Sequence, residues 1–418
     1  MTTKSIMLRC VIVFVVLILF LTLTTLTSFA QVNQSSNSWP MFGHDPSRTA
    51  QTESPVVNVT QLLWKFKTNG TVTSSPAVVD GLVYFGSWDG YFYCLNTKNG
   101  VVNWELKTGG SVTSSPDVVN GIVYIGSWDS YIYALNAKDG SVIWKYKTGN
   151  EINSSPAVVD GKLYIGSLDS EMYCLNSTNG NLIWQFKTGD KVWSSPSVVD
   201  GKIYFGSADD YVYALNADNG SLLWTFKTKD TVVYAPSVSG DSVYVGCLDN
   251  YTYCLDANTG SLNWKFNTGG WVHATPNVAD GKVFIGSATG YLFALDAGNG
   301  SLIWTYKAGD SIAASTAFAN GVVYSGSDDH NVVALNATNG YVLSKFLTQY
   351  QICSSPAVVN GAVYIGSDDH YFYALGQQNE TQQFPLVVFY TAFMISAIGI
   401  ACAFEYFYWR KLSLQKFN

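Results

Sequence analysis

The 418-residue chain is 47% hydrophobic and 15% aromatic but only 13% charged, with a net charge of −7. That apolar content supplies a large core, and the acidic balance argues against a nucleic-acid surface, which needs a basic stripe to compensate phosphates. No such stripe occurs in the sequence.

At the N terminus, Lys4 and Arg9 precede an uncharged apolar stretch from Val11 to about Leu26, and Ser28-Phe29-Ala30 before Gln31 fits a small-residue cleavage site. Residues 1–30 therefore read as an export signal. Cleavage and retention as an anchor both fit a stretch of this length. Either outcome puts the following residues on the extracytoplasmic side. Residues 31–60 form an entry segment, and residues 61–376 carry a tandem array.

Trp64, Trp104, Trp144, Trp184, Trp224, Trp264 and Trp304 recur at intervals of 40 residues, and Ser344 breaks the series. The surrounding sequence repeats too, as in ALNAKDGSVIW at 134–144 and ALNADNGSLLW at 214–224. A period near 40 with several short strands per unit points to propeller blades, because one small four-stranded sheet cannot bury both its faces without neighbours. In the first unit, strands are predicted over 77–79, 82–86, 91–95 and 101–108. Asp80-Gly81, Trp88-Asp89-Gly90 and residues 97–100 form the turns, with Asp-Gly and Asn-Gly suited to the positive φ of short hairpins.

Gly86, Gly126, Gly166, Gly206, Gly246, Gly286, Gly326 and Gly366 count eight units. The last ends at 371–375 without its Trp strand, and the array begins with an unpartnered Trp strand at 62–68. The fold predicted is an all-β, eight-bladed β-propeller of four-stranded antiparallel blades, in which residues 61–68 complete blade eight and leave no free sheet edge at the closure.

After a polar linker at 377–383, residues 384–404 contain no charge, and Arg410, Lys411 and Lys416 follow. That pattern predicts a membrane-spanning helix over 384–408 with a cytoplasmic tail at 409–418. The expected location is the cell membrane, single-pass, with a monomeric propeller outside. Asn33, Asn58, Asn69, Asn153, Asn176, Asn219, Asn250, Asn299, Asn336 and Asn379 each begin Asn-x-Ser/Thr. Two readings fit them: turn chemistry alone, or N-glycosylation of an exported glycoprotein.

The pattern Ala-x-Asn/Asp-x-x-x-Gly-x-x-x-Trp, carried by Ala134, Asn136, Gly140 and Trp144 and again by Ala294, Asp296, Gly300 and Trp304, resembles the tryptophan-docking repeat of the pyrroloquinoline-quinone (PQQ) dehydrogenase-like propellers. Residues 39–50, WPMFGHDPSRTA, resemble the entry segment of that superfamily. The resemblance covers about residues 39–376. It implies that the tryptophans form a girdle of interblade contacts, each aromatic burying about 150–250 Å². Dehydrogenases of that family are expected to hold a quinone and calcium near the axis with long inserted loops, a catalytic Asp and commonly an adjacent cysteine pair. The chain has no such pair, and its uniform spacing leaves no blade with a large insertion. The resemblance also reaches the propeller lipoproteins of outer-membrane assembly.

No catalytic residue, metal site or cofactor is expected. Cys94, Cys174 and Cys254 recur two blades apart, too far for a disulfide, and read as packing residues. Cys247 and Cys353 are possible thiols. The turn aspartates Asp89, Asp129, Asp169, Asp209, Asp249, Asp329 and Asp369, with Thr289 in the eighth place, fit either turn caps or a cation-binding ring. His330 and His370 beside them fit either repeat duplication or a metal site.

The blades disagree before the Ser-Ser-Pro element, where Thr73, Thr113, Asn153, Trp193, Val233, His273, Ala313 and Cys353 share one register and Tyr234, Trp271 and Tyr350 lie nearby. Trp193, Tyr234, Trp271, His273 and Tyr350 are therefore candidate binding residues at the axial mouth, with asymmetric core filling as the other reading. The function expected is a membrane-tethered, non-enzymatic scaffold for an unidentified protein partner at the cell surface or envelope. The alternative is a ligand-binding or redox propeller holding a quinone or glycan near the axis. At Ser344 one interblade contact should lack its aromatic, making that seam the expected weak point of the ring.

Overall fold

The computed structural model describes residues 38–376. The expected export signal, linker, membrane helix and tail lie outside these residues. Every regular element within them is a strand, and no helix there is long and apolar enough to cross a membrane.

Eight antiparallel sheets of four strands form the blades, and a short parallel strand adds a fifth to blade seven. Blade one runs outward through Ala77–Val79, Leu82–Gly86, Tyr91–Asn96 and Val102–Lys107. Its first turn places Asp80 at φ 52° and Gly81 at φ 77°, the doubly positive pair expected of Asp-Gly. The third strand is buried along its middle on both faces, whereas the outermost exposes most of its residues. The third strand is apolar on both faces because blades cover it on each side. The outer strand touches a neighbouring blade mainly through its Trp.

Leu62–Lys67 pairs antiparallel with Tyr371–Gly376, with Trp64 opposite Ala374, so the N-terminal strand completes blade eight as expected. Phe85 of blade one stacks on Phe372 of blade eight at 4.0 Å across the same seam.

One device joins the blades. Trp64 donates its indole N–H to the Thr97 carbonyl at 2.7 Å, Trp104 to Ala137 at 2.9 Å, and the remaining five to the equivalent carbonyls. Tyr84 donates its hydroxyl to the same Ala137 carbonyl at 3.2 Å and packs on Trp104. The indole lies on a turn glycine of the next blade: a methyl group at Gly100 would sit 2.6 Å from the Trp64 ring, and its φ of +68° also favours glycine.

The seam at Ser344 lacks the indole but is not left open. Blade eight takes its outer strand from the N terminus, so its third strand is not followed by the turn that would receive a Trp. Residues 57–59 occupy that place, with Val57 and Val59 buried. Val57 both accepts from and donates to the Tyr324 hydroxyl, at 3.1 and 2.7 Å, and Val59 N–H donates to Ser344 Oγ at 3.1 Å. Ser344 is the small acceptor this passage requires: the seam lacks its aromatic, as expected, and residues 57–59 fill the space instead.

The entry segment plugs the axial channel. Trp39, Pro40, Pro46, Ser47, Thr49 and Ala50 offer their carbonyls in turn to the N–H groups of Val78, Val118, Val198, Val238, Val278 and Phe318, one on each of six inner strands. Blade three is served instead by Asp117, whose carboxylate accepts from Val158 N–H at 2.7 Å. Fully buried Arg48 donates to the carbonyls of Phe42, Ser155, Pro156 and Pro196. The serines of Ser-Ser-Pro form a ring beside this plug: Ser75 N–H donates to Ser115 Oγ, Ser115 to Ser155, Ser155 to Ser195, and Ser355 to Ser75. The ring is interrupted at Ala235, and Thr275 Oγ1 beyond it is buried without a partner.

Substituting Ser344→Trp should lower the thermal midpoint by several degrees, because the indole would displace Val59, while Trp304→Ala should cost about 3–5 kcal/mol in chemical denaturation. Burial pushes the Asp117 carboxyl up to about 7, despite the Val158 N–H and the charge of Arg48. A raised folded-state value means that stability is lost as pH climbs from the ordinary carboxylate range through 7. Asp117→Asn should therefore leave the thermal midpoint nearly unchanged at pH 5 and raise it relative to the unmodified protein at pH 8, as read by differential scanning calorimetry.

Candidate functional site

The channel end where the inner strands begin forms an open mouth, built by two loops from each blade. The loop preceding the Ser-Ser-Pro element contributes the register from Thr73 to Cys353, and the turn between the second and third strands contributes the residue before the turn aspartate. Contacts tie the two together: Trp88 donates its indole N–H to Thr73 Oγ1 at 2.9 Å, and Trp128 does so to Thr113 Oγ1 at 2.8 Å.

The mouth is asymmetric. Over blades one and two, Trp88 and Trp128 meet edge to face at 4.8 Å. At blades five and six, His273 lies between Tyr234 at 5.9 Å and Trp271 at 5.7 Å, the three rings inclined by only 25° and 18°. Burial lowers the pKa of His273, favouring the neutral imidazole, and pushes the Tyr234 hydroxyl up to about 12, reinforced by Cys353 and Asp328. A tyrosine of blade five thus senses the charge of groups belonging to blades seven and eight. Cys353 Sγ lies 3.9 Å from Asp328 and 3.8 Å from Asp368. Both carboxyls titrate above the ordinary range, chiefly through burial.

Of the candidate residues, Tyr234, His273 and Trp271 come together. Trp193 stands apart with Lys191 at 6.0 Å from its ring, and Tyr350 stacks on His330 at 5.6 Å rather than on the other candidates. The seven tryptophans from Trp64 to Trp304 belong to the interblade girdle. Sequence reading treated Trp88 only as a turn residue and did not single out Trp128, Asp328 or Asp368. The signal was the same blade-to-blade disagreement, in the series Trp88, Trp128, Leu168, Ala208, Leu248, Ala288, Asp328, Asp368.

The turn aspartates are engaged as caps and as interblade ties. Asp89 accepts from Tyr91 N–H within its own turn, from the Tyr93 hydroxyl, and from Asn69 N–H of the preceding blade. Where Thr289 replaces the aspartate, Phe293 replaces the tyrosine, so no hydroxyl loses its acceptor. Cys94, Cys174 and Cys254 are buried, and Cys247 stands in for the turn serine by donating to the Asp230 carbonyl at 3.1 Å. Several sequon asparagines cap their own turns, as Asn219 does for Ser221 and Asn299 for Ser301.

The fit to a quinone with calcium can be judged from these side chains. Among the described residues no group of three His, Cys, Asp or Glu is placed to hold a metal ion. The channel beside the inner strands is filled by the plug, with only a narrow void against Trp39 and Arg48. The donor set does not match such a cofactor.

Residues 56–241 match the family model described as beta-alanine-activating enzyme, beta-propeller, and residues 228–316 and 294–385 match that described as outer membrane protein assembly factor BamB. No curated protein matches the chain. Among solved structures, BamB from Moraxella catarrhalis is 16% identical with a TM-score of 0.65, over 77% of this chain and 99% of that one. The quinohemoprotein alcohol dehydrogenase from Comamonas testosteroni is 16% identical with a TM-score of 0.72, over 85% and 84%. The computationally designed Ika8 protein is 18% identical with a TM-score of 0.69, over 77% and 100%. An assembly factor, a dehydrogenase and a designed protein share the fold to a similar degree, so the fold by itself carries no activity.

Cys353→Ser should keep the fold intact, and thiol labelling of the folded protein at pH 8 should be slow at every cysteine among the described residues, because burial raises the thiols of Cys94, Cys174 and Cys353 well above their ordinary value.

Proposed function

Since the chain is a PQQ-repeat β-propeller whose eight blades close on an N-terminal strand, we propose that it is a non-enzymatic scaffold that binds a protein partner through its open axial mouth. The observation that carries this reading is the contrast between the two sets of positions. Framework residues repeat from blade to blade, whereas the mouth gathers unlike side chains and leaves large rings in solvent: Trp88 is 42% and Trp271 56% exposed. Exposed tryptophans clustered at one surface favour a protein contact, where such rings supply much of the binding energy.

A role in envelope assembly accords with the match of residues 228–385 to the BamB family model. Membrane tethering through residues 384–404, with the propeller on the extracytoplasmic side, belongs to the same proposal and rests on the uncharged run and its basic flank. The quinone alternative is disfavoured by the donor set at the mouth.

Affinity capture from native membranes tests the reading. The unmodified protein should retain a partner that the double variant Trp88→Ala, Trp271→Ala loses, with the circular dichroism spectrum kept and the thermal midpoint lowered by no more than about 5 °C, since neither ring belongs to the interblade girdle. Equal capture by both proteins would overturn the mouth as the binding face. A saturable absorbance change on titration with quinone plus calcium would overturn the non-enzymatic assignment.

A further inference from the structure

The periphery of the propeller shows how this chain treats an aromatic face that it covers itself. Lysines from the outer strands sit over the tyrosines of the neighbouring strands: Lys107 over Tyr91 at 4.4 Å, Lys145 over Tyr131 at 4.4 Å, Lys65 over Tyr371 at 4.2 Å, and Lys227, Lys265 and Lys307 likewise. At the mouth Lys191 still lies over Trp193 at 6.0 Å, but the other large rings are treated differently. Among the described residues no cation lies over Trp88, Trp128, Tyr234 or Trp271. The three ion pairs among the described residues lie elsewhere, and none involves Asp328 or Asp368. Asp368 Oδ1 is shielded from solvent without a hydrogen-bond partner, although the charge of His370 acts on the same carboxyl.

Ring faces with no cation over them and carboxylates with no ion pair, all on the loops at the start of the inner strands, call for the same missing group, a cation. We propose that the mouth binds an arginine side chain presented by the protein partner. The assignment rests on the reading of the mouth as a protein-binding face and adds the chemistry that the face selects. Arginine fits better than lysine for two reasons. Its planar guanidinium extends a stack of rings that are already nearly parallel, Tyr234, His273 and Trp271. Its forked donors can also serve two carboxylates at once, and Asp328 and Asp368 approach the same Cys353 thiol from two blades. Lysine offers a compact charge with no planar surface.

The test uses the full chain in lipid nanodiscs and fluorescein-labelled hexapeptides that differ only at one position, occupied by arginine, lysine or citrulline. Fluorescence anisotropy should give the tightest binding for arginine and a loss of about tenfold or more for citrulline, which keeps the shape without the charge. The double variant Asp328→Asn, Asp368→Asn should bind the arginine peptide at least about tenfold more weakly and keep its circular dichroism spectrum. Equal affinity for arginine and citrulline peptides would overturn the proposal, and so would undiminished binding by the Asn variant or no binding at millimolar peptide. If the Asn variant fails to fold, the citrulline comparison on the unmodified chain still decides. Membrane capture separates the two claims: a partner retained equally by the Asn variant and lost by the Trp88→Ala, Trp271→Ala variant leaves the mouth as the docking face and removes arginine as what it reads.

Discussion

The indole that each blade lays on its neighbour is the contact on which the ring depends. A four-stranded sheet with two apolar faces has no stable form alone, and these sheets bury the third strand on both sides. The indole supplies cover, and its N–H satisfies the carbonyl of the turn it covers, often together with a tyrosine hydroxyl. The turn has to be close, so a glycine lies under the ring. One contact therefore sets the residue type at three positions in every unit and fixes their spacing. In this chain the spacing stays at 40 residues throughout, so no blade carries a large insertion and chemistry is confined to positions that the lock leaves free.

Three departures from the repeat are paired, and the pairing explains them. Thr289 removes the acceptor that a tyrosine hydroxyl would use, and Phe293 removes the hydroxyl. Ser344 omits an indole where residues 57–59 already fill the space. Asp117 introduces a carboxylate where the plug leaves the Val158 N–H unserved. Each exception keeps a buried polar group from losing its partner, the condition that buried backbone imposes. Trp88 and Trp271 are different: each keeps a neighbour within the fold, Trp128 and His273 respectively, yet no second departure covers the ring area they leave in solvent, so they are read as functional.

The plug gives the propeller two unlike ends. Burying Arg48 against four carbonyls is tolerable because all its bonds are made to backbone oxygens that would otherwise face an empty channel. With that part of the channel filled, the open mouth is the axial surface left for a partner, and its carboxylates and rings lie on loops that carry no part of the interblade lock.

The sequence by itself determined the blade count, the hairpin turns and the closure by residues 61–68, because all of these are written in a period that repeats along the chain and needs only neighbouring units to be understood. It also marked the stretch before the Ser-Ser-Pro element in which Trp193, Tyr234, Trp271 and His273 depart from the pattern. Only the tertiary structure decided which of these meet, that Trp193 and Tyr350 stand apart from the stack, and that Asp328 and Asp368 converge on Cys353. Nor could the linear pattern disclose the path of residues 39–59, whose partners lie from about 40 to nearly 300 positions away. Those contacts exist because a closed ring brings distant blades to one axis, and sequence separation carries no record of distance across it.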